Sequence, residues 1–204
     1  KTYADMVSMV APAQAAGIEV VSIDGADGWA WGSCLMSSII ARISGDPNWV
    51  KKAVEGENKF TDPAMVDSLA LLQQMVADGV ISDKSVLVDY GTNISNFSNK
   101  KALFMVQGQW AAGSIDKAVA DVTKMMVWPT FPGEKAGAKG SVAAAIQVGY
   151  GLTKAGAADA AVAEAAKKFI KYYNSEAEVT QRLRDGGIVA PVLKGYIPPD
   201  DLPA

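Results

Sequence analysis

IEVVSIDGADGWAWGSCLMSSIIARI, residues 18 to 43, changes its hydrophobic period once, and that change sets the fold class. Residues 18–23 are a short β-branched run bounded by Gly17 and Asp24-Gly25, the pattern of a buried strand. From about Gly28 the spacing turns helical, with Leu35, Ile39 and Ile43 on one stripe and Met36 and Ile40 beside it. A strand that passes through an acidic loop into a helix is one α/β unit. Strands alternating with helices along the rest of the chain predict an α/β protein with a mainly parallel sheet flanked by helices. The junction carries Asp24, Asp27, Trp29 and Trp31, at the place where ligands settle outside the carboxyl ends of strands.

Composition narrows the chemistry. Half of the 204 residues are apolar and a fifth are charged, enough for one sizeable core or two small ones in a globular chain. A net charge of −3 offers no basic stripe for nucleic acid. No run of about 18 apolar residues is present, so no segment reads as a membrane span. There is no histidine, hence no Ser-His or Cys-His couple and no usual zinc site. Cys34 is the single cysteine, which excludes an intrachain disulfide and a Cys-rich metal site. Nothing in the sequence calls for a metal or a cofactor. The chain opens on KTYADMVSMV without an initiator Met or a signal peptide, as a mature or truncated product would.

Outward from the junction, Thr2 and Asp5 have capping-box spacing and start a helix that should end at Gly17, with a break near Val10 caused by Pro12. TDPAMVDSLALLQQMVADG predicts the clearest helix. Asp62 caps it, Pro63 lies in its first turn, Gly79 ends it, and Val66, Leu69, Leu72 and Met75 or Val76 form its buried face. NISNFSNKKALFMVQGQW reads as a short helix carrying Phe97, a turn at Asn99 and a strand from Ala102 to Val106, with another helix from about Gln109. KMMVWPTF is a strand candidate, and a further strand should run from about Ala143 to Leu152. Ala157 to Asn174 predicts an unbroken helix with Val162, Ala166, Phe169 and Tyr173 as its apolar stripe, followed by a helix from Ser175 to Asp185 and a Pro-rich extended tail. The methionines fall mostly on buried stripes, as core filling.

Two places could hold a ligand. Trp29, at the start of its helix, suits a stacking platform, while Trp31 is in register with Leu35 and Ile39 and suits the core; packing remains the competing reading for both rings. A sugar fits an aromatic beside a carboxylate, since the ring covers its C–H face and the carboxylate accepts from its hydroxyls. In VQGQWAAGSI, Gly108 allows a tight turn after a strand and Trp110 stands on the first turn of the next helix, repeating the arrangement of Trp29.

The order of these pieces resembles the extracellular solute-binding proteins of carbohydrate ABC importers, the family that includes maltose-binding protein. KTYADMVSMVAPAQAAGIEVVSI is similar to the family's opening helix and strand, and DGWAW stands where members place a sugar-stacking aromatic. FSNKKALFMVQGQW resembles F-x2-G-K-x-A-M-x-x-x-G-x-W, and WPTFPG and AAKKFIKYYNSEAEVTQRLRDGGIVAPV resemble later family segments. Asn99 stands where the pattern has Gly, and Asn tolerates the left-handed backbone such a Gly would adopt.

The resemblance implies a periplasmic-binding-protein-like (type II) lobe, incomplete because family members are roughly twice as long, beyond one ordinary domain. Residues 1–142 would be the central part of the second lobe, 143–192 a crossover that completes the first, and 193–204 a Pro-rich hinge or tail. It further implies a binding protein without catalytic residues, which captures a sugar or oligosaccharide between two lobes and hands it to a membrane permease. Trp29 and Trp110 would stack on the sugar, Asp27 would accept from its hydroxyls, and Gln109 and Tyr90 would add polar contacts. The location would be extracellular or periplasmic, with a lipid anchor on a preceding segment as one form. A stripe of Val162, Phe169 and Tyr173 without its usual partner would favour self-association. Two other readings stay open: a carbohydrate-active enzyme with a second acid about 5 to 10 Å from Asp27, and a fragment that only makes protein contacts.

Overall fold

Thr2 Oγ1 accepts from the Asp5 amide at 3.3 Å and the Asp5 carboxylate accepts from the Thr2 amide at 2.7 Å, so the reciprocal cap predicted from their spacing forms. It opens the computed structural model, which describes residues 1–138, 149–185 and 193–201. Helix α1 (Tyr3–Val7) breaks at Ser8–Met9 and α2 (Val10–Ala15) follows, with Pro12 in its first turn where a missing N–H costs nothing. Gly17, at φ 69°, closes α2: its amide donates to Gln14 O and that of Ile18 to Ala13 O.

Strand β1 (Glu19–Ser22) then enters the core. After the loop at Asp24 the predicted helix begins as a π-helical turn, Ala30–Met36, and continues as α3 (Ser37–Ser44), with Leu35, Ile39 and Ile43 buried as their spacing predicts. Next come α4 (Trp49–Val54) and α5 (Pro63–Ala77). A 3-10 turn (Asp83–Leu87) leads to α6 (Tyr90–Ser98) and β2 (Ala102–Met105). β1 and β2 pair in parallel, with Val21 opposite Phe104 and Ser22 opposite Met105, and Val21 also bridges to Ile81 in parallel. A 3-10 turn (Gln109–Ser114), α7 (Lys117–Ala120) and a short 3-10 turn (Ala136–Ala138) complete this part. Val20, Val21, Ile23, Leu35, Ile39, Met75 and Ile81 form the centre of its core.

In this part four details differ from the sequence reading. On α5 the buried residues are Met65, Ser68, Leu71 and Met75, whereas Val66 and Leu69 are 53% and 49% exposed. The helix is apolar on most sides, so periodicity alone leaves its phase open. Ser68 can turn inward because its hydroxyl donates to Ala64 O at 2.6 Å. Asp62 stands at the N-cap of α5, but its carboxylate accepts from the Lys59 amide at 2.8 Å instead of capping the helix. The left-handed residue after α6 is Lys100, at φ 58°, while Asn99 stays at φ −86°. Lys100 and Lys101 amides donate to Phe97 O and Asn96 O, which places Lys100 at the position usually held by Gly. Finally, KMMVWPTF forms no strand: it makes one bridge, Thr130 to Thr2, and Met125 and Met126 are exposed rather than core.

The segment after that bridge is pinned from α3. Arg42 and Glu134, 1% and 2% exposed, form an ion pair at 2.8 Å; Arg42 Nη1 donates to Trp128 O and its guanidinium lies 4.7 Å from the centre of the Phe131 ring.

The chain divides into two compact units, Lys1–Ala143 and Ala144–Ala204. In the second, α8 (Lys154–Ala158) and α9 (Ala160–Tyr173) replace the single helix expected from Ala157, because Asp159 leaves the helical conformation and caps α9 through the Ala161 and Val162 amides. Ser175 caps α10 (Glu176–Arg184), as its position predicts. Val162 and Phe169 are half exposed, and Tyr150 packs edge to face on both Phe169 and Tyr173. The strand expected at Ala143–Leu152 lies outside the described residues as far as 148, and residues 149–152 form no regular element. No described helix is long and apolar enough to cross a membrane.

Candidate functional site

The site is built where β1 and β2 end. Beyond β1 the loop brings Asp27 beside the start of α6, and its carboxylate accepts the Tyr90 amide at 2.8 Å. Asp89 caps the same helix by accepting from the Thr92 amide at 2.6 Å, and the hydrogen bonds from Thr92 hold its carboxyl below the usual carboxylate range. Tyr90 is thereby fixed on the first turn of α6, next to the loop that carries Trp29.

The three aromatic rings meet. Trp29 lies 6.2 Å from Tyr90 and 5.7 Å from Trp110, centre to centre, with tilts of 40° and 53°. These are ordinary tilted aromatic contacts. Trp110 is 41% exposed, whereas Trp29 and Tyr90 are half-buried. Trp110 owes its position to Gly108: a Cβ there would fall 2.0 to 2.4 Å from three atoms of the indole, so the ring lies on the bare glycine. Gln109, half-buried on the first residue of the 3-10 turn, makes no side-chain hydrogen bond among the described residues. Trp31 packs against the main core instead.

A polar network joins the segments that carry the rings, and the sequence reading missed most of it. Asp24 is fully buried at the end of β1. Its Oδ1 accepts from Asn93 Nδ2 at 2.8 Å and from Gln107 Nε2, and Asn93 Oδ1 in turn accepts from Ser22 Oγ at 2.7 Å. The only local signals were a polar residue one helical turn after Tyr90 and a polar residue at the end of β2 just before Gly108; neither indicates a partner. Burial, reinforced by the Asp24 carboxylate, pushes the Cys34 thiol pKa up, which disfavours a reactive thiolate. Among the described residues no group of three or more side chains is placed to hold a metal ion.

Two shallow hollows lie elsewhere in the first unit, one along Trp31, Leu72 and Val76 and one around Trp49, Asn58 and Asp67. Neither includes the aromatic trio, whose exposed face is that of Trp110. Such a face offers stacking and hydrogen bonding.

Solved structures share this architecture. The chain is similar to a chitin oligosaccharide binding protein (TM-score 0.74, 22% identity, 95% of this chain and 47% of that one). It is also similar to maltose-bound MalE3 of T. maritima (0.66, 18%, 91% and 46%). A third is a probable secreted solute-binding lipoprotein of Streptomyces coelicolor (0.63, 14%, 97% and 48%). The chain thus spans about half the length of these proteins. At such identities the likeness establishes the fold, periplasmic-binding-protein-like with helices on a small parallel sheet. None of the curated protein sequences matches the chain. A sequence profile described as bacterial extracellular solute-binding protein matches residues 1–204, so the chain belongs to the family of bacterial extracellular solute-binding proteins.

Proposed function

We propose that the protein binds a sugar or oligosaccharide as the capture component of an ABC importer, with Trp29 and Trp110 as stacking groups, Asp27 as hydroxyl acceptor and Tyr90 and Gln109 as further contacts. The observation that carries this is the convergence of Trp29, Tyr90 and Trp110 beside the Asp27 carboxylate, at the ends of parallel strands. Sugars present an apolar C–H face and a rim of hydroxyls, the two features such a surface satisfies. Carbohydrate ligands named for two of the similar structures support the same class.

In this reading residues 1–142 belong to the second lobe, 143–192 cross to the first, and 193–204 form the hinge or tail. Closure of two lobes on the sugar then creates the form that a permease recognises. A secreted lipoprotein among the similar structures supports a location outside the cytoplasmic membrane with a lipid anchor.

Calorimetric titration with a panel of mono- and oligosaccharides tests the proposal. One saccharide class should bind saturably, and Trp29→Ala and Trp110→Ala should each weaken it while leaving the fold intact. Equal affinity in both variants removes the site assignment; silence across the panel removes the sugar. The half-exposed Val162 and Phe169 support self-association as a second property, read by sedimentation as a concentration-dependent mass.

A further inference from the structure

We propose that Asp24 is the positioning residue of the aromatic face: one buried carboxylate holds in register the three segments that carry Trp29, Tyr90 and Trp110. Asp24 has no exposed surface, so it touches no ligand. Its Oδ1 is the common acceptor for Asn93 Nδ2 and Gln107 Nε2. Asn93 lies one turn after Tyr90 on α6, Gln107 lies three residues before Trp110, and Trp29 lies five residues after Asp24 itself. Each ring therefore stands on a segment whose base is tied to the same carboxylate. Ser22 also reaches α6, through its hydroxyl to Asn93, and the β2 end, through its carbonyl to the Val106 amide, but only the Asp24 carboxylate joins the side chains of both other segments on one oxygen.

Stability alone does not account for this arrangement. A carboxylate without surface exposure is costly to bury, and no cation pairs with Asp24 among the described residues. Asp24 Oδ2 and Gln107 Oε1, both buried, have no hydrogen-bond partner there either. Orphaned acceptors of this kind are penalised in a core and are found where position matters more than stability. What the network provides is geometry: two amide donors converge on one oxygen, which ties α6 and the residue after β2 to the loop beyond β1, past the reach of the strand pairing.

The test reads ring geometry in the 204-residue chain without any ligand. Trp29 and Trp110 are the one tryptophan pair in ring contact among the described residues, and two indoles that close and tilted give an exciton couplet in circular dichroism. Trp110→Phe identifies the couplet by removing it. Asp24→Ala and Gln107→Met should each lose the couplet while the helical signal and cooperative melting persist. Asp24→Asn keeps an Oδ1 for both donors and should retain it. Ile39→Val, a mild core lesion away from the network, should also retain it. If Asp24→Ala does not fold, Gln107→Met, which leaves the Asn93 bond in place, decides the question. A folded Gln107→Met or Asp24→Ala with the couplet intact overturns the proposal, as does Asp24→Asn losing it while remaining folded. The consequence for affinity rests on the saccharide reading. A retained couplet counts against Asp24, whereas a panel of saccharides that leaves the wild-type protein silent counts against the sugar alone.

Discussion

Replacing Gly108 by Ala should move one ring and little else. The backbone there is extended, at φ −84° and ψ 168°, a conformation alanine adopts without strain. The added Cβ would lie 2.0 Å from Trp110 Cζ3, 2.1 Å from Cη2 and 2.4 Å from Cε3. Carbon atoms rest at about 3.5 Å, so the indole must recede by roughly 1.5 Å. That displacement opens the 5.7 Å contact with Trp29, an aromatic pair worth about 0.5–1.5 kcal/mol. Against this, Ala restricts the unfolded chain and contributes about 0.4–1 kcal/mol. The two nearly cancel, so Tm should stay within about 4 °C of wild type. Ligand affinity, by contrast, loses the aligned ring and should fall roughly two- to tenfold. Exciton circular dichroism and calorimetry on the same sample separate the two effects. An unchanged couplet with unchanged affinity would refute the seating of Trp110 on Gly108; a large drop in Tm would show that the backbone, rather than the ring, gives way.

Three other outcomes follow from the same geometry. Lys100→Gly removes a left-handed lysine at φ 58°, a cost of about 1–2 kcal/mol, against about 0.5–1 kcal/mol for glycine's freedom when unfolded; the urea midpoint should rise by a net gain near 1 kcal/mol with an unchanged slope, and a lower midpoint would contradict this. Glu134→Ala leaves the Arg42 guanidinium buried without its partner and should cost about 3–5 kcal/mol in denaturant melts, while Arg42→Met with Glu134→Leu should recover most of that. The Asp89 carboxyl is held below its ordinary value of 3.8, so its contribution is present above that value and is lost as pH falls through the lower folded one. Helical signal should decline on acidification below pH 3.8, and Asp89→Asn, which caps without titrating, should lessen the decline.

Much of the chain's local structure was legible before any coordinates. The Thr2–Asp5 cap, the stop at Gly17, the strand at 19–22, the stripe of Leu35, Ile39 and Ile43, and the Ser175 cap all depend on residues within a few positions of one another, so spacing specifies them. The break at Asp159 escaped because its side chain competes for backbone amides that a periodicity count ignores. The phase of α5 escaped for a different reason. When several faces of a helix are apolar, the neighbour selects which one is buried, and α3 and the core selected Met65, Ser68, Leu71 and Met75.

The candidate site divides along the same line. Sequence alone determined that tryptophans would stand where strands give way to helices, that an acidic residue would lie nearby, and that Gly108 would precede a ring, because each is a matter of local order. Only the tertiary structure decided that Trp29, Tyr90 and Trp110 share one face, that Asp27 meets the amide of a residue 63 positions away, and that Asp24 joins Asn93 and Gln107 from 69 and 83 positions off. Those meetings depend on parallel strand pairing, which brings distant strand ends together through contacts that no local window contains.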